Sequence, residues 1–312
     1  MLTPELQDAL LSPWFLGLIG LCIGSFLNVV IYRLPVIMQR EWLGEYAEQL
    51  QNEDELREFG GLDEARSVQV AQAAKVLDES LQQLPPMSLA RPASRCPHCG
   101  HVLRWHENLP LVGWLLLRGR CSSCRAGISF RYPFVELLTG LLFAGIAWNF
   151  NSQPVALLYG GFAAALVALA GIDWDTTFLP ESINQPLLWA GLFLSVLGWT
   201  PVSPHDAVIG AVVGYLPLWL IYWGYKLLFN KEGMGYGDFK LLAGIGAWLG
   251  WQLVLPVALA ASLVGTVVGL AMKWRGDLRE GRYVPFGPFL AGGALLVLLV
   301  GPGRIITWWL HP

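Results

Sequence analysis

Eight runs of mostly apolar residues dominate this chain, at roughly 14–32, 133–150, 154–172, 186–200, 206–228, 239–251, 254–272 and 286–308. A helix needs about 20 such residues to cross the hydrocarbon core of a bilayer. The pattern therefore predicts an all-α polytopic membrane protein with about eight transmembrane helices. The sixth run is short and rich in glycine. Charged residues make up only 14% of the sequence, against about 25% in soluble domains, so a chain of 312 residues lacks the polar surface to stay in water. Fifteen tryptophans suit a bilayer protein, because indole rings favour the two interfaces. A net charge of -3 argues against nucleic acid as a partner. The segment Met1 to Ser12 carries no basic residue, and the apolar run after it has no small-residue cleavage site. It reads as a retained first span and not a removed signal.

Lysine and arginine set the orientation. Twelve of the twenty lie between Arg33 and Arg131, three (Lys226, Lys231, Lys240) surround the loop before the sixth run, and four (Lys273, Arg275, Arg279, Arg282) fill the loop before the eighth. In an eight-span layout these three loops share one side, and the loops near 149–154, 200–205 and 251–253 carry no basic residue. The long segment is thus expected in the cytoplasm and both termini outside. The chain divides into a first transmembrane helix (1–35), a cytoplasmic segment (36–132) and a seven-helix membrane domain (133–312).

Residues 40–84 of the cytoplasmic segment are acidic and rich in Ala, Gln, Glu and Leu. Leu56, Phe59, Val68, Ala71, Leu77 and Leu81 predict one or two amphipathic helices with a solvated face, ended by Pro85 and Pro86. Further on, Cys96/Cys99 and Cys121/Cys124 form two C-x-x-C pairs. Such pairs can set four thiolates tetrahedrally around one Zn²⁺, and a cytoplasmic location disfavours disulfides. Zinc is preferred over cystines or unligated thiols. A four-thiolate site is closed and so structural, folding a small zinc-binding domain over 92–130. His98, His101 and His106 are nearby alternative ligands. Cys22, alone in an apolar run, reads as a small buried hydrophobe.

Ionisable groups at membrane depth are costly and mark functional sites. Asp173 ends the third run, in Gly171-Ile172-Asp173-Trp174-Asp175-Thr176-Thr177-Phe178-Leu179-Pro180-Glu181. Asp238 opens the sixth, in Gly235-Tyr236-Gly237-Asp238. The topology puts both at the cytoplasmic edge. Two carboxylates a few ångströms apart share a proton and titrate as a pair. One then acts as general base toward water while its protonated partner polarises a carbonyl. Gly235 and Gly237 allow unusual torsions and close approach to an extended substrate. A helix cap or interfacial charge is the plainer reading of a lone aspartate. Asp175 and Glu181 are expected to be supporting or interfacial groups, Asp206 a cap on the outer side, and Lys240 an interfacial anchor or, alternatively, a group tuning the pair.

These residues resemble a known family, the type IV prepilin peptidases (leader peptidase/N-methyltransferases), membrane aspartyl proteases of the G-x-G-D class. The likeness covers nearly the whole chain. It rests on Gly24-Ser25-Phe26-Leu27-Asn28 through Tyr32-Arg33-Leu34-Pro35, on Arg95-Cys96-Pro97-His98-Cys99 through Asn108-Leu109-Pro110, on Gly119-Arg120-Cys121-Ser122-Ser123-Cys124, on Arg131-Tyr132-Pro133 with Val135-Glu136-Leu137, and on the two aspartate motifs.

The resemblance implies a catalytic pair at Asp173 and Asp238 and zinc ligands at Cys96, Cys99, Cys121 and Cys124. It implies a bacterial inner-membrane enzyme that cuts the basic leader of prepilins and pseudopilins at the cytoplasmic face. It also implies methylation of the new N-terminal residue from S-adenosylmethionine, in the service of type IV pili or type II secretion. Gly119 and Glu136 are candidates for the methyl-transfer site. No glycine-rich nucleoside fingerprint is present in the sequence. The stretch from Leu34 to Arg95 is longer than usual for the family, and Glu181 stands where its members commonly carry Asp. Competing readings are a peptidase without methyl transfer and, more distantly, an ion-coupled transporter using the two aspartates as a relay, although no inverted repeat is apparent.

Overall fold

The computed structural model describes residues 3–230, 234–275 and 284–310. Lys231, Arg279 and Arg282, counted above for orientation, lie outside the described residues. The elements are α1 (Pro4–Leu10), α2 (Pro13–Leu50), α3 (Glu53–Glu58), α4 (Glu64–Gln82), α5 (Val112–Leu116), α6 (Arg131–Asn149), α7 (Val155–Thr176), α8 (Glu181–Val196), α9 (Pro204–Phe229), α10 (Tyr236–Leu249), α11 (Trp251–Trp274), α12 (Gly287–Val300) and α13 (Pro302–Leu310). The fold is all-helical among the described residues, and two isolated bridges, Arg95 with Val102 and Arg120 with Gly127, are its only β pairing.

Each expected apolar run contains a helix. Among the described residues four helices (α2, α7, α9, α11) are long and apolar enough to cross a membrane, or five if the bent pair α12–α13 counts as one span. That pair, expected as a single span over 286–308, breaks by 96° at Gly301, whose φ of +103° suits a residue without a Cβ. α10, at 14 residues, is about 21 Å long by helical rise and too short to cross alone.

The chain forms two compact units, Val29–Leu103 and Met1–Asn28 with Arg104–Pro312. In the first, α2 does not stop where its apolar run ends but continues through Pro35 to Leu50. Arg33 and Arg40 of this helix donate to the carbonyls of Ser88 and Pro85, which ties the following chain to it. The expected amphipathic helices are α3 and α4. Asn52 and Asp63 cap them by accepting from the amides of Glu55 and Arg66, so each orphan N-terminus has a local acceptor.

In the second unit α10 is the innermost element, buried at every position from Asp238 to Leu249 except Lys240. Its glycines explain why. A Cβ on Gly210 of α9 would sit 2.1 Å from the Gly246 carbonyl oxygen, and one on Gly214 would sit 2.4 Å from that of Leu242. The two backbones therefore touch directly, as small residues allow between membrane helices. The short sixth run thus forms a helix surrounded by protein. Beside it, Trp248 stacks on Phe162 with centroids 4.9 Å apart, and its indole N–H donates to the Leu187 carbonyl.

Candidate active site

Three carboxylates are buried among the described residues: Glu136, Asp173 and Asp238. The last two come from separate motifs. Asp173 lies in the final turn of α7, which closes with Thr177 in the left-handed conformation and its amide bonded to the Asp173 carbonyl. Asp238 lies in the first turn of α10. They are 4% and 7% exposed, and Asp173 lies close enough to Asp238 for its charge to act there.

Leu179 joins the two motifs physically. A Cβ on Gly237 would lie 2.8 Å from the Leu179 Cβ, and one on Gly287 would lie 3.3 Å from its Cδ1 and only 2.6 Å from Asp173 Oδ2. Gly287 opens α12 and turns its backbone amide to the Asp173 carboxylate. Asp173 Oδ2 and Asn184 Oδ1 are the two buried side-chain oxygens without a hydrogen-bond partner among the described residues. Buried polar groups are nearly always paired, so an orphan acceptor here marks a place prepared for a donor.

The supporting residues behave unequally. Neither Gly235 nor Gly237 has the unusual torsion expected; both keep negative φ, because one is the N-cap and the other lies in the first helical turn. Gly237 is needed for close approach, against Leu179 and not against open space. Gly235 has only Asp238 Oδ2 near its missing Cβ, at 3.9 Å. Lys240 forms an ion pair with Glu181 and so links the starts of α8 and α10. Asp206 sits in the first turn of α9, where Ser203 is the cap, and it accepts from the Trp251 indole.

The sulfurs of Cys96, Cys99, Cys121 and Cys124 lie within 4.8 Å of one another, a group able to hold a metal ion, and none is in a disulfide. Each pair sits on the same kind of turn. Cys96 N donates to His101 O and Gly100 N to Cys96 O; Cys121 N donates to Ala126 O and Arg125 N to Cys121 O. Gly100 and Arg125 take the left-handed conformation in the two turns. His98, His101 and His106 are not members of the group.

Comparison with known sequences decides the family. Residues 18–150 match the bacterial peptidase A24 N-terminal domain, and residues 160–270 match the type IV leader peptidase family. A prepilin leader peptidase/N-methyltransferase of Burkholderia pseudomallei (strain 1026b) is 46% identical over 287 residues, 92% of this chain and 85% of that one. One of Aeromonas hydrophila is 46% identical over 307 residues, 96% and 95% of the two chains. One of Pseudomonas aeruginosa is 43% identical over 286 residues, 91% and 89%. The chain belongs to the type IV leader peptidase family. No solved structure gives a significant match.

The two methyl-transfer candidates of this leader peptidase chain both have local structural work. The Glu136 carboxylate accepts from the Leu111 amide at 2.7 Å and from Ser25, which holds Leu111 at a φ of +57°. Gly119, at φ +67°, presses on the Trp114 ring. Three residues beside the aspartates were missed by sequence reasoning. Gly287 and Leu179 carry no titratable group to draw notice, and Asn184 lies just before an apolar run, like any interfacial amide.

Proposed function

We propose that this chain is a bifunctional inner-membrane enzyme that removes the basic leader of prepilins and pseudopilins and methylates the new N-terminal residue. Its curated relatives carry both activities in their names. The observation that carries the peptidase half is the meeting of two buried carboxylates, Asp173 and Asp238, from separate motifs.

In this mechanism one aspartate takes a proton from a water as that water attacks the scissile carbonyl. The other, protonated, hydrogen-bonds the carbonyl oxygen as charge develops there. The tetrahedral intermediate collapses by proton transfer to the leaving amine, which frees the peptide. Gly287 and Leu179 fix where the Asp173 carboxylate points, and Asn184 secures the Gly237 carbonyl beside Asp238.

The four-cysteine group fits a structural zinc. Zn–S bonds of about 2.3 Å in a tetrahedron require sulfurs about 3.8 Å apart, and the spacing seen accommodates that. S-adenosylmethionine would supply the methyl group. Glu136 and Gly119 remain the residues we associate with that half, without assigning either a chemical step.

The membrane reading has eight spans, both termini periplasmic, and the cysteine domain and aspartates at the cytoplasmic face. α2, at 38 residues, is about 57 Å long. It exceeds a bilayer's needs and would leave the membrane near Arg33 to carry the acidic insertion of residues 40–84. The deciding experiment is cleavage of a model prepilin by the wild type and by Asp173→Asn: leader release by the first alone is expected, and release by both would end the proposal.

A further inference from the structure

Arg131 has a role that its place in the charge count did not suggest. Its Nη1 donates to both oxygens of Asp175, at 2.9 and 2.6 Å, and its Nη2 to the Gly171 carbonyl at 3.3 Å. One guanidinium therefore grips a side chain and a backbone group of the last turns of α7, with Asp173 between them in sequence. Residues two apart on a helix point about 200° away from each other. Asp175 faces outward to Arg131, and Asp173 faces inward, 4% exposed. Holding Asp175 thus sets the rotation of the turn that aims Asp173. Carboxylates in the final turn also face the negative end of the helix dipole, which a cation here offsets. The forked, planar geometry of arginine suits such a two-point grip, and lysine cannot reproduce it.

The seat of Arg131 is itself fixed. Three residues before it, Ile128 donates its amide to the Gly119 carbonyl at 2.7 Å and accepts from the Trp114 indole at 3.2 Å. These bonds close the base of the second cysteine turn, whose Arg120–Gly127 bridge lies just inside them. These bonds lead from the Cys121–Cys124 turn to Ile128, the chain carries on three residues to Arg131, and its guanidinium reaches Asp175 and the turn that holds Asp173.

We infer that Arg131 is a positioning residue for the peptidase reaction, orienting Asp173 through Asp175 from a base set by the second cysteine turn. The inference rests on the reading of Asp173 as catalytic. It requires Arg131→Ala and Asp175→Asn each to lower kcat for prepilin cleavage by about tenfold or more, since misplacing a reacting group by an ångström costs up to about a hundredfold. KM should stay within about twofold and the melting temperature near that of the wild type, because the residues do not touch the peptide and a partly exposed ion pair adds little stability.

The double variant should be no slower than either single one, and Arg131→Lys should fall between wild type and Arg131→Ala. Metal removal by a chelator should lower kcat in the wild type but have little further effect in Arg131→Ala, with metal content followed in parallel as a separate readout. The inference is overturned if both single variants keep kcat within about twofold of wild type, or if their losses multiply. Should Arg131→Ala not fold, Asp175→Asn and Arg131→Lys still decide it. An active Asp173→Asn enzyme would instead sink the underlying reading.

Discussion

Asn184 Nδ2 donates to the Gly237 carbonyl oxygen across 3.1 Å, so the first turn of α8 holds the backbone beside Asp238. Asn184 follows the Asp173 motif in the chain, and Glu181 of the same turn pairs with Lys240 of α10. The two acidic motifs are therefore clamped together twice by residues that perform no proton transfer.

Asp173→Asn and Asp238→Asn should each slow leader cleavage by at least about a hundredfold, the lower range for general acid–base groups. The proposed mechanism has the two act as a unit, so the double variant should be no slower than the worse single one. Time courses of leader release on gels would test this, and multiplicative losses would contradict shared chemistry.

The three glycines near the aspartates make a graded series. Gly287→Ala puts a methyl 2.6 Å from Asp173 Oδ2 and Gly237→Ala puts one 2.8 Å from the Leu179 Cβ, whereas Gly235→Ala meets nothing nearer than 3.9 Å. Cleavage should drop by about tenfold or more in the first two, as expected for a displaced reacting group. The third should stay near wild type. Equal activity of all three variants would show that Leu179 and Asp173 have room to move.

Metal analysis of the purified chain should give about one zinc per molecule, as four thiolates require, and Cys→Ser at Cys96, Cys99, Cys121 or Cys124 should lower it. Limited proteolysis should then open 92–130. Cys22→Ser serves as the control, with metal content unchanged. A wild-type value below about half an equivalent would count against the site.

Glu136→Ala should lower stability by about 1–3 kcal/mol, because the Leu111 amide loses its buried acceptor. Glu136→Gln keeps an oxygen for that amide and should cost less. Labelled methyl transfer measured in the Gln variant separates a structural clamp, which predicts retained transfer, from a need for the carboxylate charge, which predicts its loss.

Charge reversal at the outer clamp should be self-correcting. Glu181→Lys or Lys240→Glu alone should slow cleavage, and the two together should restore most of it. Effects on unfolding should be about 1 kcal/mol or less, since Glu181 is 61% exposed and exposed ion pairs contribute little.

How much of this was legible in the sequence depended on chemistry that stands out from its surroundings. Asp173 and Asp238 were readable because a carboxylate in apolar sequence is rare, and the cysteines because C-x-x-C pairs are. Gly287 was not, because its role is to be small at a spot 114 positions from Asp173, and nothing local betrays that. The first helix was expected within residues 1–35, but α2 runs on through Pro35 to Leu50. The shortness of α10 was visible in the sequence, but its enclosure by neighbouring helices was not. Lys240 was read as an anchor or a group tuning the pair, and Arg131 as a topological charge; their partners, Glu181 and Asp175, are visible only in three dimensions.

At the bare backbone contact between Gly210 and Gly246 no side chain separates α9 from α10 to act as a bearing. The two helices cannot slide past each other without clashing, so any shift that opens a path for an incoming peptide beside Asp238 must carry them as one rigid lever. Swapping either glycine for alanine would act as a wedge far from the chemistry and slow the enzyme by tilting that lever.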